Sequence, residues 1–304
     1  MKNDFFLLQN YNETHYFNTP FPHVIIKNAL PDHIYNELLK KSPKTLIKNS
    51  SLKLNNTRGN FYPDQIEKEN SHKFFYEFLN YHQSPFFFEE CVKIFKVDIK
   101  KQYPGLIEHS KKMIENEKII KLRSNNKKNK KFMTFAANYG YNTPVTEASS
   151  VIGAHLDHYD KIFFGLFYMK EDIDKFSGGD LIFYKWDNKY SNYKKKNIIY
   201  TEKWNYMKSH CEEAKRICYD KNTFVLALNS IDSLHGVSKR SETNSIRQFC
   251  YFSIASNKDL KFATPNLIEK IFFKNLSYKE KMIIIFNSLK FWIKKVLQLL
   301  NTKH

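Results

Sequence analysis

Ile162-Phe163-Phe164-Gly165-Leu166-Phe167-Tyr168-Met169 is a short uncharged run of aliphatic and aromatic residues. Its length and residue types suit a pleated, buried strand. Runs of the same kind recur on both sides, at Phe132 to Ala137, Ser150 to Leu156, Asp180 to Tyr184, Thr223 to Leu228 and Arg247 to Ile254. Turn-forming residues separate them, notably Gly140, Gly178-Gly179, Asn229-Ser230 and Gly236. Short strands at this spacing predict an antiparallel sandwich or barrel of jelly-roll type.

Before Phe132 the pattern is different. Phe21 to Ile26 reads as a strand, and Pro31-Asp32 opens a helix through Leu39, where proline suits a first turn whose N–H groups lack partners. Ser71 to His82 and Phe86 to Phe95 carry helical apolar spacing. Residues 1–131 are therefore expected to form a helical layer with one or two strands, packed on a strand-rich core over 132–256. The polar run Asn125 to Lys131 is expected to be a solvated loop between two strands. A polar insertion over 186–216, with Lys194-Lys195-Lys196, is long enough to act as a lid or substrate loop. The segment 257–304 ends in a basic amphipathic stretch, Ser277 to Leu300, expected to pack on its own domain or on a twin subunit. The whole is one integrated unit, mainly β with flanking helices.

The chain of 304 residues carries 49 Lys and Arg against 31 Asp and Glu, a net charge of +18. Lysine is abundant together with Asn, Ile, Phe and Tyr, the mixture an AT-rich coding sequence produces. That accounts for the charge without a nucleic-acid partner, and leaves room for steering a small anionic substrate. Cys91, Cys211, Cys218 and Cys250 form no C-x-x-C pair and no zinc spacing, as expected of reduced thiols in a cytoplasmic protein. The apolar run Phe5 to Leu8 is too short for a signal-peptide core, and no transmembrane stretch is expected.

His155 and Asp157 stand two apart in Gly153-Ala154-His155-Leu156-Asp157. If the segment is a strand, both point to one face and can hold one cation. Two histidines and one carboxylate on one side of a metal form the open set of ligands used by non-haem Fe(II) oxygenases. His235, after the strand Thr223 to Leu228, is the best second histidine; His158 would face away, while His210 and His304 lie in a lysine-rich loop and at the tail. Arg247, in a strand otherwise full of Phe249, Tyr251, Phe252 and Ile254, offers a planar fork of donors for a carboxylate.

Taken in order, His155-Leu156-Asp157, Gly178-Gly179-Asp180-Leu181-Ile182-Phe183, His235-Gly236-Val237 and Arg247 resemble the 2-oxoglutarate- and Fe(II)-dependent oxygenases, in particular the prolyl 4-hydroxylase-like branch. The resemblance covers roughly Phe132 to Ile254. It implies a double-stranded β-helix, with Fe(II) on His155, Asp157 and His235 and the distal carboxylate of 2-oxoglutarate on Arg247. Tyr168 and Asn138 are further candidates to bind that co-substrate. The implied reaction couples oxidative decarboxylation of 2-oxoglutarate by O2, giving succinate and CO2, to hydrogen abstraction from a substrate C–H bond. Hydroxylation, desaturation or oxidative ring closure of a small anionic or amino-acid-like metabolite would follow. Two features depart from prolyl hydroxylases: Arg247 stands where lysine is common, and Ile162 to Tyr168 is unusually aromatic. The competing readings are a prolyl or other protein side-chain hydroxylase, a cupin-like enzyme with another metal and no co-substrate, and a non-catalytic β-sandwich that binds a ligand through its lysines.

Overall fold

The computed structural model describes residues 3–66, 72–122, 132–158, 160–186, 211–230 and 232–256. The loop 125–131, the insertion between 187 and 210, and the amphipathic stretch 277–300 with its expected dimer or domain packing lie outside these residues.

Among the described residues, eleven strands form two sheets. They are β1 (Tyr16–Phe17), β2 (His23–Lys27), β3 (Arg58–Phe61), β4 (Ile119–Leu122), β5 (Met133–Asn142), β6 (Lys161–Tyr168), β7 (Leu181–Trp186), β8 (Cys211–Ile217), β9 (Thr223–Leu228), β10 (His235–Val237) and β11 (Arg247–Ala255). The large sheet runs β1-β2-β9-β6-β11-β5-β3 and is antiparallel, except that β4 joins β5 in parallel. The long strand β5 carries two neighbours on one edge, β4 at Met133 to Ala136 and β3 at Tyr139 to Asn142. The small sheet runs β10-β7-β8. With helices flanking the larger of two facing antiparallel sheets, the core is a double-stranded β-helix.

The described residues before β5 form seven α-helices: α1 (Asp32–Lys40), α2 (Asn49–Leu52), α3 (Pro63–Ile66), α4 (Lys73–Tyr81), α5 (Pro85–Ile94), α6 (Lys96–Gln102) and α7 (Leu106–Glu115). Phe75, Phe78 and Leu79 repeat at helical spacing and bury one face of α4. Ser84 caps α5 by accepting from the Phe87 amide, with Pro85 in the first turn. These helices cover the outer face of the large sheet, where Phe88 stacks on Phe135 and Phe95 meets Phe163. Alternate residues of the same strands face the small sheet, and Phe164, Tyr168, Val225, Ala227 and Phe249 meet Leu181, Phe183, Ile217 and Tyr219 there.

Three expectations need correction. Ser150 to Leu156 is not a strand but an irregular segment that touches β10 and the residues after it through isolated bridges, Ser149 to Arg240 and His155 to His235. It takes the place of a fourth strand in the small sheet. Cys211 to Ile217, inside the expected insertion, is a strand paired with β7. The first 131 residues also supply four strands to the large sheet rather than one or two. No described helix is long and apolar enough to cross a membrane.

His82 ties the helical layer together. It is fully buried; its Nδ1 bonds the Phe78 carbonyl and its Nε2 accepts from the Leu7 amide at 3.3 Å. Burial lowers its pKa to about 3, so the folded protein refuses a proton that the unfolded chain takes up below about 6.5. Stability is thus complete above that pH and falls as pH drops from there towards 3. Urea denaturation between pH 6 and 4.5 should show His82→Gln with a pH slope shallower than wild type by about 1.4 kcal/mol per pH unit, and the two slopes should coincide above about pH 7.

Candidate metal centre

Tertiary structure brings His155, Asp157 and His235 together, with one ligand atom from each lying within 4.8 Å of the others. The two histidines are a backbone pair: His155 N donates to His235 O at 2.7 Å and His235 N to His155 O at 2.8 Å. Directly opposed residues present their side chains on one face, and the imidazole centroids lie 4.2 Å apart. Gly236 permits this approach, since a Cβ there would meet the Gly153 carbonyl group at 2.7 Å.

Both rings are oriented from behind. His155 Nδ1 donates to the Gly153 carbonyl at 3.0 Å and His235 Nδ1 to the Ser233 carbonyl at 2.8 Å, the tautomer that leaves each Nε2 lone pair for a cation. Phe164 stacks on the His235 ring at 4.2 Å. Burial, and then the neighbouring His235, push the His155 pKa down to about 3; burial also lowers that of His235. The imidazoles are therefore neutral at physiological pH, as a metal ligand must be. Burial opposes ionisation of Asp157, but Lys161 and the two imidazoles outweigh it and hold the carboxyl well below the usual range. Two neutral imidazoles and an ionised carboxylate fit a divalent transition metal.

Lys161 and Tyr251 carry no signal in an isolated motif, yet they complete the cluster. Lys161 Nζ donates to Asp157 Oδ1 at 2.8 Å and to the Tyr251 hydroxyl at 2.6 Å, and that hydroxyl donates to Asp157 Oδ2 at 3.3 Å. Tyr251 was accessible in principle, because it shares a strand face with Arg247 at a separation of four. His158 is elsewhere, paired with Asp160 at 2.9 Å.

Arg247 is 2 % exposed. Its Nε donates to the Gly179 carbonyl at 2.9 Å and its Nη1 to Asn142 Oδ1 at 3.3 Å. Gly178 and Gly179 adopt φ of 79° and 76°, the positive values expected of a turn before a strand, and so turn that carbonyl towards the guanidinium. The rings of Tyr168, Tyr219 and Phe249 stand 4.8 to 5.1 Å from its central carbon. Nη2 of Arg247, Nδ2 of Asn142, the Tyr168 hydroxyl and Oδ1 of Asn138 are buried without a hydrogen-bond partner. All four side chains belong to the inner face of the large sheet. Burial raises the Tyr168 pKa to about 12 against the opposing effect of Arg247, so the phenol keeps its proton. Leaving such groups unsatisfied costs roughly 1–3 kcal/mol each, a cost a bound carboxylate would relieve at the three donors, Arg247 Nη2, Asn142 Nδ2 and the Tyr168 hydroxyl.

No protein-family model matches the sequence, and a search of curated proteins finds no match. Among solved structures, the chain is similar to a prolyl hydroxylase from Trichoplax adhaerens in complex with a hypoxia inducible factor oxygen degradation domain peptide, at TM-score 0.38 and 11% identity over 86% of this chain and 92% of that one. It is also similar to HygX from Streptomyces hygroscopicus with nickel and 2-oxoglutarate bound, at TM-score 0.34 and 10% identity over 77% and 82%. A third likeness, IDO from Bacillus thuringiensis, has TM-score 0.26 and 14% identity over 40% of this chain, which spans about half (48%) of that protein. The strand pairing described above, not these likenesses, defines the fold.

The cluster gives a direct expectation for metal uptake. Cobalt(II) added to metal-free protein should produce one saturable visible absorption, and His235→Ala should weaken uptake by more than the roughly 10- to 100-fold typical of losing an outer-shell partner.

Proposed function

We propose that the protein is an Fe(II)- and 2-oxoglutarate-dependent oxygenase acting on a C–H bond of a small anionic or amino-acid-like metabolite. The observation that carries this reading is the pairing of two features, one on each side of the interface between the two sheets. One is a cluster of two neutral imidazoles and a carboxylate; the other is a buried arginine with an unpartnered nitrogen and no carboxylate within ion-pair distance among the described residues.

In this reading His155 and His235 bind iron through Nε2 and Asp157 through a carboxylate oxygen, leaving positions open for co-substrate and O2. When bound, the iron with 2-oxoglutarate and O2 supplies the hydrogen abstraction, with release of succinate and CO2. Arg247 grips the distal carboxylate of 2-oxoglutarate through its free Nη2, and the Tyr168 hydroxyl and Asn142 Nδ2 are donors placed to join it. Asn138, with an unpartnered Oδ1, suits a hydroxyl or ammonium donor better than a carboxylate. Lys161 and Tyr251 hold Asp157 in position, and Phe164 fixes the plane of His235 while shielding that side from water. Residues 132–256 are the catalytic core in this reading, with 1–131 packed on it as part of one domain.

Anaerobic Fe(II) and 2-oxoglutarate should together give a weak visible charge-transfer band, which His155→Ala abolishes. Arg247→Gln should raise the 2-oxoglutarate concentration needed for the band and for succinate release by about 10- to 100-fold, the loss of one charge-assisted contact. Undiminished succinate formation in Arg247→Gln would remove that residue from the co-substrate site. A cupin-like enzyme with no co-substrate, or a binding module, would form neither band nor succinate.

A further inference from the structure

Arg58 stands on β3 directly opposite Asn142, which on its other side faces Arg247. Directly opposed residues share a sheet face, so Arg58 belongs to the inner face of the large sheet, the one turned towards the small sheet that carries His235. Its guanidinium does not stay at the sheet edge. Its central carbon lies 5.2 Å from the Phe249 ring centre and 5.5 Å from that of Tyr251, two strands inward. The next row of the sheet runs Asn60, Gly140, Phe249, and Gly140 presents no side chain to block this reach.

Among the described residues, no carboxylate forms an ion pair with Arg58. Its one hydrogen bond there is a long contact from Nε to Asn60 Oδ1 at 3.5 Å. Asp157 is the carboxylate that acts on it, but Asp157 is already engaged by Lys161 at 2.8 Å. Burial depresses the Arg58 pKa, and nearby Arg247 depresses it further, although the residue remains open to solvent. Lys161 balances Asp157, and Arg58 and Arg247 stand in excess on the inner face, with no ion pair among the described residues. Fe(II) and the 2-oxoglutarate dianion would cancel one another and leave that excess standing. Of the two arginines, Arg247 is sealed in the sheet and Arg58 is reached from outside.

We infer that Arg58 is the specificity-determining anchor of the primary substrate, holding its carboxylate in a two-point grip over the rings of Phe249 and Tyr251. The word substrate rests on the oxygenase reading; the anion site itself does not. An aromatic floor beneath the guanidinium fixes its plane and fits a planar carboxylate lying at its edge.

The test has two arms. In metal-free protein, the Arg58 Nε–H NMR resonance, assigned by its disappearance in Arg58→Gln, is titrated with benzoate and with its neutral isostere benzamide. Benzoate should move the line saturably in wild type and in Arg247→Gln, and benzamide should not. In iron-loaded enzyme, matched carboxylic acid and primary amide forms of a metabolite panel are scored by succinate release above the substrate-free background. The acid forms should stimulate. Arg58→Gln should raise their KM about tenfold or more, Arg58→Lys should recover part of it, and the 2-oxoglutarate dependence of the charge-transfer band should stay that of wild type. A resonance indifferent to benzoate, amides as effective as acids, or 2-oxoglutarate binding weakened by Arg58→Gln as much as by Arg247→Gln would each overturn the assignment. Absence of the charge-transfer band in wild type would defeat the iron reading instead, and the metal-free titration would still decide Arg58.

Discussion

Two backbone hydrogen bonds, exchanged between His155 and His235 at 2.7 and 2.8 Å, fix the relation on which the rest of the site depends. They join a loop to the edge of the small sheet and force two imidazoles side by side. Carbonyls of Gly153 and Ser233 then set both tautomers, so the chain that positions the rings also chooses which nitrogen remains available. Asp157 follows two residues later, held by Lys161 and Tyr251 from the large sheet. The cluster therefore spans both layers of the fold, and its geometry holds only while the layers are packed.

Charge gives the inner face its second character. A protein interior tolerates ionised groups when each is paired. Lys161 and Asp157 satisfy one another, whereas Arg247 is compensated by carbonyl and amide oxygens and by three rings, and Arg58 by two rings, a long contact to Asn60 and solvent. Apolar packing from Phe164, Phe183 and Val225 keeps the two sheets together around these groups. Aromatic side chains and cationic groups share this inner face, an environment in which an anion gains more than it would in water.

Much of this was legible in the residues. Strand positions followed from short uncharged runs and their turn residues, and β6, β9 and β11 lie within a residue or two of where those runs predict them. The His155, Asp157, His235 and Arg247 pattern was readable as well, although the reason given for the first pair was incomplete. Strand alternation was to aim both side chains, yet the segment is irregular, and it is the bridge to His235 that orients it. The strand β8 was hidden because Cys211 to Ile217 is mostly charged and polar, with one face bare to solvent, so no apolar period marks it. Arg58 sits in the polar stretch Asn55 to Asn60, where nothing in the order of residues separates a surface arginine from one that crosses a sheet.

Residue order alone determined the strand-rich core, the helical layer before it and the candidates for the cluster of His155, Asp157 and His235, because these depend on local composition and on the residue types available in each segment. Tertiary structure decided which histidine tautomer is presented, which lysine and tyrosine secure Asp157, and that Arg58 turns inward across Gly140. Each of those depends on which strands become neighbours and in what register. Pairing partners here lie at opposite ends of the described chain, as His23 and Ala227 do in β2 and β9, and no local pattern encodes a register over such a distance.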